Sequence, residues 1–132
     1  MKKLILILSL LLSTLVAFAQ NSQPNYLRAR NVSIGFRESV DSPITWTQNA
    51  EECSILIECY VTKVVINSQK LQTYHILYPI ATEVPHQAAW RCKDLDASTC
   101  NLKMTNNPEY PGLIAVEIEY NDAVWFYICT KD

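Results

Sequence analysis

Five cysteines (Cys53, Cys59, Cys92, Cys100, Cys129), two histidines (His75, His86) and the carboxylates Glu117 and Glu119 are the chemically distinctive side chains of this 132-residue chain. Cys92 and Cys100 frame Lys93-Asp94-Leu95-Asp96-Ala97-Ser98-Thr99, a segment rich in turn formers. A turn centred on Asp96 sets the two cysteines opposite one another in an antiparallel hairpin, with Cα atoms about 5 Å apart and within disulfide reach. The alternative is a pair of free buried thiols. Cys53 and Cys59 fall on one face of a strand but about 20 Å apart along it, too far to pair with each other. Cys59 is then the weaker candidate for a bridge, with Cys129. Five is odd, so at least one thiol stays unpaired or joins another chain.

No C-x-x-C spacing occurs and neither histidine is grouped with the cysteines, which argues against zinc; no metal and no cofactor is expected. Glu117 and Glu119 sit two apart, about 7 Å along one strand face, a spacing usable for glycoside chemistry or calcium. Their alternation with Ile, Val and Tyr reads more simply as a half-exposed strand. A Cys59–His75 nucleophile pair is conceivable on neighbouring strands. Cys59 follows Ile55 and Ile57 on an apolar face, however, which favours a packed thiol. With Gly35 and Gly112 as the only glycines, phosphate-cradling loops are excluded, and neither G-x-S-x-G nor H-E-x-x-H is present. No catalytic residue is assigned.

Aromatic residues remain: three tryptophans and seven tyrosines. Such residues anchor interfaces when they are not core. The final run, residues 123–130, is apolar on both faces, so its aromatic side chains cannot all face one core. Trp125, Tyr127 and Phe126, with Tyr110 in the loop at 105–112, are the expected binding residues, and the same strand is a candidate homodimer contact.

Those residues need strands to hold them. β-branched and aromatic residues make up about a third of residues 20–132, and no fifteen-residue window carries a capped helical stripe. Period-two runs occur at 32–36 and 55–60, and β-rich runs at 64–66, 71–78, 89–93, 99–104, 113–120 and 123–130. One short helical turn is expected at 48–52. Asn121-Asp122 predicts a two-residue type I′ turn, which places Ile114, Val116, Ile118 and Tyr120 on one face with Ala123, Trp125, Tyr127 and Cys129. A three-residue loop would reverse the last strand. About eight short strands joined by hairpins predict an all-β antiparallel meander, either a small barrel or a two-layer sandwich.

The run KVVINSQKLQTYHIL, the later W-R-C-K-D with a second cysteine eight residues on, and the terminal I-E-Y-N-D resemble small exported proteins of unknown function from Gram-negative gut-type bacteria. The matching positions are Gln72, Tyr74, Ile76, Cys92, Asp94, Cys100, Tyr120 and Asp122, within residues 55–130. The resemblance implies a β-meander and no activity.

Residues 1–19 carry Lys2 and Lys3, an uncharged apolar run and Ala17-Phe18-Ala19 before Gln20, the layout of a signal peptide. The run is too short to cross a hydrocarbon core of about 30 Å, and no membrane span is expected after cleavage. Removing it takes two lysines and lowers the formal charge from −2 to −4, which excludes charge-driven nucleic-acid binding. Residues 20–30 then form a flexible lead-in and 31–132 one β domain, secreted or periplasmic and exposed to oxidising conditions. The expected function is a protein- or glycan-binding module. The alternatives are a lipocalin-like carrier of a small ligand and an inhibitor of a periplasmic or secreted hydrolase acting through the loop at 104–112.

Overall fold

The computed structural model describes residues 24–132; the expected leader at 1–19 and the start of the lead-in fall outside them. Eight strands follow in chain order: β1 (Asn25–Phe36), β2 (Thr45–Cys59), β3 (Lys63–Asn67), β4 (Leu71–Ile80), β5 (Gln87–Lys93), β6 (Thr99–Asn106), β7 (Leu113–Glu119) and β8 (Ala123–Lys131). Each pairs antiparallel with its neighbour, and β8 pairs back onto β1 to close a barrel. The fold is therefore the small-barrel form of the expected meander, and no described residue is helical. Closure leaves β8 hydrogen-bonded on both sides, so it offers no free edge to a second copy.

Alternation explains which side chains fill the barrel. Ile57, Val64, Ile66, Leu102, Val116 and Ile118 point inward and are fully or almost fully buried. They form one core with Leu27, Ala29, Tyr74, Tyr127 and three cysteines. Strand β1 begins at Asn25, six residues before the expected start of order. Leu27 and Ala29 face inward, and a bulge between Ala29 and Asn31 then shifts the phase so that Val32 takes the next inward place. A run that changes phase in this way reads as unpatterned in sequence.

The short helix expected at 48–52 is absent. Those residues belong to β2, whose first half pairs with β1 alone, since β3 reaches only Ile57 to Cys59. Ala50 takes a positive φ of 51°, its N–H donates to Ser33 Oγ at 2.8 Å, and its carbonyl accepts from Asn31 Nδ2 at 3.3 Å. The irregular backbone is thus paired by side chains rather than by a helical turn.

The β7–β8 connection has the two-residue register, with Glu119 opposite Val124 and Ile118 opposite Trp125. Neither Asn121 nor Asp122 has positive φ, so the turn is not type I′. Arg37 holds it from outside. Its backbone N–H donates to the Asp122 carbonyl, and its guanidinium donates to those of Asn121 (3.0 Å) and Tyr120 (2.7 Å). The outward Val124 is only 1% exposed because Ile44 and Trp46 lie over its β1 partner Gly35, where a Cβ would collide with Ile44 Cγ2.

The barrel has two mouths. At one lie the connections 37–44, 68–70, 94–98 and 120–122. At the other lie the connections 60–62, 81–86 and 107–112 with Pro24 and Asp132, the two ends of the described residues.

Candidate ligand cup at one barrel mouth

The first mouth opens into a cup of about 560 Å³, within the range of small-molecule sites. Phe36 at the end of β1, Leu71 at the start of β4 and Leu95 in the β5–β6 turn form its lip, and all three are exposed. Trp125 makes one wall, packed edge-on against Tyr120 with ring centroids 5.7 Å apart and planes at 73°. Gln72 and Tyr74 come from β4, while Asp94, Asp96 and Asp122 come from the two neighbouring turns.

Four polar side chains around the cup, those of Gln72, Tyr74, Asp94 and Tyr120, are hydrogen-bonded. Tyr120 donates its hydroxyl to Asp94 Oδ2 at 2.7 Å, and Asp94 Oδ1 accepts the Asp96 and Ser98 backbone N–H groups, each at 2.9 Å. This side-chain cap shapes the β5–β6 turn, in which Ala97 takes a φ of 65°. Tyr74 donates to Gln72 Oε1 at 2.6 Å, and Gln72 Nε2 donates to Ser68 Oγ at 3.2 Å. Partial burial pushes the Asp94 carboxyl upward, but the hydrogen bonds from Tyr120, Ser98 and Asp96 outweigh it and hold the group below its ordinary value. Burial raises Tyr120, and donation to Asp94 raises it further. Tyr74 is raised by burial too, and the Tyr127 phenol is pushed up to about 12. The cup therefore has neutral phenols on its floor and an ionised carboxylate at its side.

Of the four residues expected to bind, only Trp125 lines the cup. Tyr127 points inward but is 1% exposed and belongs to the core beneath. Phe126 faces outward, half-buried between Glu117 and Ser33 on the flanking strands. Tyr110 is 60% exposed and lies in the 107–112 connection at the opposite mouth. The two-residue register turns both Trp125 and Tyr127 inward, as the Asn121-Asp122 turn predicts, and the reversed strand of a three-residue loop does not occur.

Glu117 and Glu119 do face outward, where Lys103 Nζ sits 3.7 Å and 3.2 Å from them. Burial nevertheless raises the Glu117 carboxyl. An ammonium held between them makes an ion network, not a free carboxylate pair. His75 is exposed on the outer face while Cys59 packs against the core, so no thiol–imidazole pair exists.

All five cysteines are free thiols. Cys92 and Cys100 stand directly opposite one another, as the turn predicts, yet no bond joins them. Burial pushes the two thiols up to about 11 and about 12, which keeps them out of the nucleophilic thiolate form, and Cys92 Sγ is directed at the Trp90 carbonyl. Cys59 and Cys129 are not bridged either. Strand β1 lies between theirs, setting the Cα atoms about 10 Å apart or more, beyond disulfide reach. No group of three or more metal-ligating side chains occurs among the described residues.

Reasoning from residue types missed Gln72, Tyr74 and Asp94 as site residues. The signal that could have found them is their place among the motif positions, of which Gln72, Tyr74, Asp94, Tyr120 and Asp122 all line the cup. No known family matches the chain, and no curated protein or solved structure is significantly similar to it.

Proposed function

We propose that this protein is a small-ligand-binding barrel that holds its ligand in the Trp125–Tyr120 cup. One observation carries the reading: the barrel's middle is filled by packed side chains such as Tyr127, Leu102 and Ile57, whereas the mouth above them is an open concavity with an apolar lip. Exposed apolar side chains gathered around a pocket are what a ligand would cover. An outer sheet face has less support, since the aromatic residues that would build it point inward or stand alone. Export through the leader-like segment at 1–19 would place this binding in the periplasm or outside the cell, and intact mass of the purified protein tests cleavage before Gln20.

A fragment screen read by amide and indole NMR shifts tests the cup itself. Hits should move the Trp125 indole N–H together with Leu71, Leu95 and Tyr120. A screen whose hits all cluster elsewhere, with Trp125 unmoved, removes the reading.

A further inference from the structure

We propose that the cup takes an organic ammonium ion, a cationic nitrogen carried on a compact apolar frame. The inference rests on the small-ligand reading and adds the ligand's chemical class. Three features of the cavity support it.

The first is aromatic. Trp125, Tyr120, Tyr74 and Phe36 all border the same space, and aromatic faces attract a cation without needing it to donate in a fixed direction. The second is charge. Asp94, Asp96 and Asp122 border the cup against a single cation, Lys70, and neither Asp96 nor Asp122 forms an ion pair among the described residues. The third is how the directed polar groups are used. Both Asp94 oxygens and the Gln72 carbonyl already accept hydrogen bonds from the protein, and the Gln72 amide nitrogen already donates one. A sugar needs free, directed donors and acceptors for its hydroxyls, and those of Gln72, Tyr74, Asp94 and Tyr120 are already engaged with one another or with the backbone and Ser68. A cation needs only negative potential and polarisable walls, which a satisfied network still supplies.

Three probes of one shape test this by NMR titration of the full chain at low ionic strength: choline, the neutral 3,3-dimethylbutan-1-ol and the anionic 3,3-dimethylbutanoate. Choline should shift the Trp125 and Tyr120 resonances and bind at least tenfold more tightly than the alcohol, with the anion weakest. The double variant Asp96→Asn, Asp122→Asn should weaken choline severalfold and leave the alcohol unchanged. Trp125→Ala should weaken choline at least tenfold, and the surface double variant keeps the test decisive if that change unfolds the barrel. If the alcohol binds in the cup as tightly as choline, or methyl β-glucoside binds more tightly, the ammonium proposal falls and the small-ligand reading stands. If none of these molecules shifts Trp125 or Tyr120, both fall.

Discussion

The two mouths of the barrel enclose similar volumes, about 560 Å³ and about 520 Å³, and share almost nothing else. At the cup, short turns are held by side chains: Asp94 caps one, and Arg37 grips three successive carbonyls of another. At the opposite mouth Tyr26, Leu27, Cys59, Met104 and Ile114 line the pocket beside Asn25, Lys131 and Asp132, and Asp132 is held by an ion pair with Arg28 at 3.0 Å. The cup gathers four aromatic residues and is braced by side chains behind its turns, whereas the other mouth brings Cys59 and Met104 to its wall and carries a single ion pair at its rim. Concavity alone therefore does not distinguish a site, but a pocket whose walls are pinned from behind does.

Substitutions should separate the two mouths. Tyr127 lies in the core below the cup, and Tyr127→Ala should cost about 3–5 kcal/mol in chemical denaturation, since it removes a large buried ring. Tyr120→Phe should cost about 1–3 kcal/mol by leaving Asp94 Oδ2 without its donor, with faster hydrogen exchange at the cup turns and not at the far mouth.

The same variant has a pH signature. Asp94 has a lowered folded-state value, so its contribution to stability is present above its unfolded value and is lost as pH falls through the folded one. Tyr120→Phe should move that loss to higher pH. An unchanged acid limb would mean that the phenol does not hold the carboxylate.

Arg37→Ala should cost about 1–2 kcal/mol and loosen the β7–β8 turn, seen as loss of protection at the Tyr120 amide and at the amide of position 37. Mild alkylation of the native protein should slowly reach Cys59 at the other mouth and Cys53 in the middle of β2, and leave Cys92, Cys100 and Cys129 unmodified until unfolding. Cys59, pushed up to about 11 by burial, should react faster as pH rises, and peptide mapping reads the order. The mildest change is Ala97→Gly, which should stabilise by about 0.5 kcal/mol by relieving a left-handed alanine.

Much of the fold was legible because local signals agreed with it. All eight strands were visible as β-rich runs, and the Asn121-Asp122 arithmetic set the right register for Trp125 and Tyr127. What was missed has common causes. The first halves of β1 and β2 are polar and broken by bulges, so no steady period-two pattern survives, and pairing with neighbours rather than propensity makes them strands. The cup was illegible as a site because Gln72, Asp94 and Tyr120 meet only when the sheet curls shut. Trp125 was ambiguous because its strand is apolar on both faces, and the cover over Val124 comes from Ile44 and Trp46, far off in sequence.

Closure by β1 against β8 also sets a timetable. The Arg28–Asp132 contact spans 104 residues, so the last stave of the barrel can join the first only after all the strands between them have been made. A chain emerging from its N-terminus is until then an open ribbon with β1 unzipped along one side. Such a non-local join makes folding slow, and it makes the last nine-residue strand the latch. Clipping that strand should leave β1 as an exposed edge that seeks β-partners in other molecules.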